Sequence, residues 1–301
     1  MRAFVLSGGG NRGPLEVGAV QVLLEKGIIP QMIVGSSIGA INGLFLAIDP
    51  SLPQARHMAD LWRASSQRKL LRLGPARSLL QFMRGSDHLT DSRRMAVYLR
   101  EVLPPHVRCF GDLTIPFYVT ITHLSTFSLY IYGDDPAALV IDAVLTSAAI
   151  PGFFEPKRVH GEAFFDGGVV SNLPVRVAAA RGATEIWAID LALTNETPSR
   201  ARGVLPILGQ TITPMLYNGV LAELEEVAHA PGITLHHVPI YDYQRVGLGD
   251  FKDLEKMLVA GARVMRGYLA CPQPNVIHYP SQTDAEHLPP GPPGSKPFIS
   301  G

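Results

Sequence analysis

The sequence predicts an α/β fold: a mostly parallel sheet covered on both faces by helices. Two observations carry this. Short apolar runs bounded by glycine or proline alternate with helical patterns along most of the 301 residues. Apolar residues make up 47% of the chain and charged residues 17%, enough to bury a large core. No internal repeat and no linker interrupts residues 1–279, which are read as one domain, whereas 280–301 are too rich in proline and glycine to build a core.

Strand-like runs fall at Arg2–Ser7, Gln31–Gly35, Ile115–His123, Phe127–Tyr132, Ala163–Phe165, Glu185–Leu191 and Ile233–Val238. The first helix, Pro14–Lys26, is opened by proline and closed by Gly27, with Leu15, Val17, Ala19, Val20, Leu23 and Leu24 as its apolar positions. Further helices are expected to start near Ile38, Pro53, Thr90, Pro136, Pro174, Pro206 and Phe251. In the last of these, Leu254, Leu258, Ala262 and Met265 stand at helical spacing, which suits core or an oligomer face. Thr120–Tyr132, two runs joined by a short polar turn, reads as an antiparallel hairpin. Asp190 reads as a structural residue at a strand end.

The stretch Gly8-x-Gly10-x-x-Gly13 follows the first strand and opens a helix, as a dinucleotide-binding turn does. That reading requires an acidic residue at the end of the second strand, to hold ribose hydroxyls. The second strand ends instead in Gly35-Ser36-Ser37-Ile38-Gly39. Gly35-x-Ser37-x-Gly39 at a strand-to-helix junction is the pattern of a nucleophile elbow, with Ser37 lifted off the strand end and small residues on both sides. Ser36 sits one position early and is read as a packing neighbour. Neighbouring parallel strands bring their carboxyl-end turns together, so the N–H groups of Gly8, Gly9 and Gly10 can face Ser37 as an oxyanion hole, with the Ile38 N–H as a further donor.

A serine hydroxyl needs a base. Late in the chain stand His229, His236, His237 and His278, and His123 ends a strand, but none lies in a local signature. Asp166 is the other candidate, delivered by an apolar run onto Gly167-Gly168; taken alone, Asp-Gly is better explained as an ordinary turn. The early position of Ser37 disfavours an ordinary α/β-hydrolase, because 36 residues before it leave room for only about one strand and helix.

Taken together and in order, "GGGNRG", "GSSIG", "SAAIPGFFEP" at Ser147–Pro156 and "DGGVVSNLPV" resemble the patatin-like phospholipase family, over roughly residues 3–190. The resemblance implies a three-layer α/β/α sandwich and a Ser-Asp dyad without histidine. Ser37 is then the nucleophile and Asp166 the base, with the glycine loop and Arg12 making and supporting the oxyanion hole. Gly35, Gly39, Gly167 and Gly168 support the turns, and Asn172 and Pro174 fix the chain after Asp166. The implied reaction is hydrolysis of an acyl ester in a phospholipid, lysophospholipid or related lipid, with no cofactor and no metal. A scaffold that binds lipid without turnover and a histidine-assisted esterase are the competing readings.

The 26 basic and 26 acidic residues cancel, so nothing in the overall charge points to nucleic acid as a partner. With only Cys109 and Cys271, no disulfide framework is expected. The chain starts directly on a strand-like run with no charged-then-apolar leader, so a cytoplasmic location is expected. Residues 61–86 hold Arg63, Arg68, Lys69, Arg72, Arg77 and Arg84 among Trp62, Leu70, Leu71, Leu79, Phe82 and Met83. They suit peripheral contact with an anionic membrane, or equally a solvated cap. A homo-oligomer remains open.

Overall fold

The structure is a computed structural model that describes residues 1–68, 88–90, 92–192, 217–243 and 250–278. Its strands are β1 (Arg2–Leu6), β2 (Met32–Gly35), β3 (His88–Thr90), β4 (Phe117–His123), β5 (Leu129–Tyr132), β6 (Gly152–Phe154), β7 (Lys157–Val159), β8 (Glu162–Asp166), β9 (Glu185–Asp190) and β10 (Thr234–Pro239). The helices are α1 (Gly13–Glu25), α2 (Ile38–Ile48), α3 (Leu52–Gln67), α4 (Arg93–Val102), α5 (Val140–Ser147), α6 (Val175–Ala180), α7 (described over 217–228) and α8 (Leu254–Ala270).

The main sheet runs β10-β9-β1-β2-β4-β8-β7, with β5 also on β4. From β10 to β4 all neighbours are parallel, while β5, β8 and β7 are antiparallel additions. One consequence of register positions the site. Val119 pairs with both Gly35 of β2 and Tyr132 of β5, so these strands lie on opposite edges of β4. Ile121 and Thr122 pair with both β5 and β8, so β8 takes the same edge as β2, just beyond its end. Asp166, opposite Ile121, therefore arrives two residues past the level of Gly35.

The period-two alternation of β1 shows why both faces are covered. Phe4 and Leu6 pack with α1, α2 and α8, whereas Ala3 and Val5 pack with α6 and α7 through Val175, Ala178, Val220 and Leu224. Helix α2 is buried nearly all round and forms an inner wall beside the sheet. Helices α1 and α8 meet backbone to backbone: a Cβ on Gly18 would lie 2.0 Å from the Leu258 carbonyl, and one on Gly261 1.9 Å from that of Leu15. Leu254, Leu258, Ala262 and Met265 are all buried, which makes this face of α8 core and not an oligomer surface.

Departures from the sequence expectation have local causes. The helix expected near Pro136 starts only at Val140, because the Asp135 carboxylate accepts the Ala137 N–H (2.9 Å) and holds a turn there. Thr90 belongs to β3, and its helix begins at Arg93. Phe127 is in the hairpin turn, so β5 starts at Leu129. β3, β6 and β7 have three residues each, too few to show a period. The helix expected near Pro206 starts outside the described residues, as do residues 69–86 of the basic segment and the tail. Within the described part of that segment, Arg63 pairs with Asp60 and Glu255, Arg68 pairs with Glu101, and Trp62 is buried. Both cysteines carry free thiols. Among the described residues, no helix is long and apolar enough to cross a membrane.

Candidate functional site

Ser37 sits where β2 turns into α2, with φ of 53°. A non-glycine residue rarely adopts this left-handed conformation, and it survives only where its surroundings enforce it. Here crowding does so. A Cβ on Gly35 would stand 2.6 Å from the Gly39 carbonyl oxygen, and one on Gly39 would stand 2.3 Å from that of Leu6. Ser36 is fully buried; its N–H donates to the Leu6 carbonyl (3.1 Å) and its carbonyl accepts from Gly39 (2.8 Å). The Ser37 N–H donates to Ser147 Oγ at 2.9 Å.

The Ser37 hydroxyl donates to Asp166 Oδ2 at 2.6 Å, joining residues 129 positions apart along the shared edge of β4. The other carboxylate oxygen accepts the Gly168 N–H at 2.8 Å. Both side chains are buried. Burial raises the Asp166 pKa to about 7, against the opposing pull of the bonds from Ser37 and Gly168. A carboxylate so placed is a far better proton acceptor than one in water. Gly167 lies against β4, where a Cβ would meet the Thr120 carbonyl at 2.3 Å, and Gly168 lies against Asn172.

The glycine loop approaches from the end of β1. The Gly8 N–H donates to the Asn172 carbonyl (2.9 Å), and Asn172 Nδ2 donates back to the Gly8 carbonyl (3.2 Å). Gly8 is thus committed to holding the loop. Among the described residues the N–H groups of Gly9, Gly10 and Ile38 have no protein acceptor. The Arg12 guanidinium is buried and points away, donating to the carbonyls of Leu191 (2.8 Å) and Ala192 (3.1 Å). Burial lowers its pKa to about 10, offset in part by Asp190 and Glu16. Arg12 therefore ties the loop to the chain just after β9.

Among the described residues, no histidine is hydrogen-bonded to Ser37, whose partners are Asp166 and Ser147. His123 bonds Thr126 and Glu162, His229 bonds the Glu225 carbonyl, and His236 stacks on Trp187 and bonds Tyr268. His237 bonds Asp190, the buried residue at the end of β9, and its Nδ1 accepts the His278 N–H. Sequence reasoning missed two positioning contacts. Ser147 lay inside a recognised block, but nothing local marks its bond to a residue 110 positions away. Asn172 was assigned to the turn after Asp166, and it also anchors the glycine loop. Ser147→Ala leaves the buried Ser37 N–H without an acceptor, and the expected loss is about 1–3 kcal/mol of unfolding free energy, read from urea denaturation.

Beside Ile38, helices α2, α3 and α4 border a narrow, half-open apolar cleft. Ile41, Phe45, Leu61, Trp62 and Tyr98 are among its lining residues. One wall is fixed by Asn42, which donates to Glu16 Oε2 (2.8 Å) and the Gly13 carbonyl (3.1 Å) and accepts from Trp62 Nε1 (3.0 Å). Complete burial holds the Glu16 carboxyl well above the usual range. The site therefore combines a bonded hydroxyl and carboxylate, unpaired N–H groups and an adjoining slot for an apolar chain.

The family model described as Patatin-like phospholipase matches residues 4–179. Lysophospholipase NTE1 of Mycosarcoma maydis is 25% identical over 294 residues, covering 88% of this chain and 15% of that protein. Patatin-like phospholipase domain-containing protein 7 of Rattus norvegicus is 30% identical over 196 residues, 65% of this chain and 14% of that protein. The chain thus spans about one seventh of the length of these relatives. Among solved structures, VipD from Legionella pneumophila aligns with a TM-score of 0.48 and 13% identity, over 89% of this chain and 66% of that one.

Proposed function

This chain belongs to the patatin-like phospholipase family, and from that premise we propose that it is a serine acyl hydrolase cleaving carboxylic esters of phospholipids, lysophospholipids or related lipids. The observation that carries the reading is the 2.6 Å bond from the Ser37 hydroxyl to a buried carboxylate of raised pKa. In the first half-reaction Asp166 takes the Ser37 proton as Oγ attacks the ester carbonyl carbon. The N–H groups of Gly9, Gly10 and Ile38 receive the negative charge that develops on the carbonyl oxygen. Collapse breaks the ester bond, Asp166 returns the proton to the departing alkoxide, and the acyl group stays on Ser37. A water molecule, deprotonated by Asp166, then attacks the acyl carbon; the Oγ–acyl bond breaks, Asp166 returns the proton to Ser37 Oγ, and the fatty acid leaves. An ester is favoured over an amide because its alcohol leaves more readily.

The apolar cleft is the natural seat for the acyl chain. Ile41→Trp, on the α2 wall, fills part of it. The expected result is a drop of about tenfold or more in kcat/KM for long-chain esters, with an acetyl ester turned over within about threefold of the unaltered protein. Equal losses on both would take the acyl chain out of this cleft. The activity itself is tested by incubating the protein with lysophosphatidylcholine and measuring released fatty acid, with Ser37→Ala as the control.

A further inference from the structure

We propose that the tip of the β4–β5 hairpin, residues 124–128, is an anchor that inserts into an anionic lipid surface beside the site. The inference rests on the lipid-hydrolase reading for its purpose, though not for its test. Ile121 marks the level of Asp166, and β4 runs on past it. Leu124 begins three residues further, about 10 Å at ~3.3 Å per residue. The tip therefore projects beyond the carboxyl ends of the parallel strands, the side from which ligands approach an open α/β sheet.

Leu124 is 41% exposed, Phe127 62% and Tyr130 50%. Phe127 also has φ of 52°, a conformation a bulky aromatic rarely adopts. Asparagine or glycine would remove both the backbone strain and the ring's exposure, so this residue is poorly chosen for the fold alone. The tip is nonetheless well built. The Phe127 N–H donates to the His123 carbonyl (2.9 Å), His123 bonds Thr126 (2.8 Å) and Glu162 (3.0 Å), and Tyr130 meets the Phe164 ring edge-on at 5.4 Å.

Its chemistry suits a lipid surface better than a protein. No residue from Leu124 to Tyr132 is charged. The Thr126 and Ser128 hydroxyls bond each other at 2.9 Å, which lowers the cost of taking them out of water. The β7–β8 hairpin lies alongside, joined where the Leu124 N–H donates to the Ala163 carbonyl (2.9 Å), and it exposes Arg158 together with Glu162, whose carboxylate bonds His123. An apolar tip with an exposed arginine beside it complements anionic headgroups over an acyl layer.

The test is a Leu124→Ser, Phe127→Asn double variant. In a Ser37→Ala background, co-sedimentation with vesicles of equal parts phosphatidylcholine and phosphatidylglycerol should show the partition coefficient falling by about tenfold or more. The thermal midpoint should not fall. With Ser37 intact, kcat/KM on a monomeric short-chain ester should stay within about twofold. An unchanged partition coefficient, as a protein-docking tip would give, or no vesicle binding by the parent, overturns the proposal. So does an equal loss on the monomeric ester. Because the binding measurement uses protein without a nucleophile, it decides the anchor even if no lipid is hydrolysed.

Discussion

Ser37→Ala removes ester hydrolysis by a factor on the order of 10⁴ or more, as expected when the attacking atom of a covalent mechanism is deleted. The loss should fall on kcat, with acyl-chain binding little changed, since the cleft borders the nucleophile without including it. The variant should also be less stable than the parent by about 1–3 kcal/mol, because the buried Asp166 Oδ2 loses the hydroxyl that donates to it. Alanine keeps the Cβ and the backbone bond to Ser147, and only the hydroxyl bond to Asp166 is lost.

Asp166→Asn should lower kcat/KM by about 10²–10⁴-fold, the usual loss for a general base. Its second effect is on stability and has the opposite sign. The folded pKa of about 7 lies above the ordinary carboxyl value of 3.8. Between those pH values the folded chain keeps a proton that the unfolded chain has given up, so stability falls as pH rises through the window. At 1.36 kcal/mol per pKa unit, the difference amounts to about 4 kcal/mol once pH exceeds the folded pKa. The amide does not titrate. The variant should therefore lack this slope and be more stable than the parent at pH 8, while the two converge near pH 4. Activity of the parent runs the other way. The base must be ionised, so kcat/KM should rise with pH through an inflection near 7. A parent profile that is flat from pH 5 to 8, or a variant that keeps the stability slope, would place the titrating group elsewhere.

How much of this site was legible in the sequence depended on the range of the interactions involved. The elbow was fully legible, because the crowding that demands Gly35 and Gly39 arises within a few residues and leaves a local pattern. The parallel strands and α1 were legible for the same reason. Asp166 was not, on spacing alone. Its meeting with Ser37 depends on β2 and β8 sharing one edge of β4, a register that no local pattern encodes. The resemblance of four motifs in order supplied what the residues could not. Gly8 shows the limit of reasoning by residue type. It stands in the glycine loop, yet its N–H is committed to Asn172, and only the contact distinguishes it from Gly9 and Gly10. The conformation of Phe127 was illegible, since a strained aromatic in a turn contradicts every propensity that sequence reasoning uses.

The most direct measurement of the central claim is the location of a fluorophosphonate adduct by tandem mass spectrometry. One phosphonate per chain, on the peptide carrying Ser37 and formed far more slowly in Asp166→Asn, is the predicted result. An adduct on any other residue, or labelling of Ser37 at an unchanged rate without the Asp166 carboxylate, would contradict it.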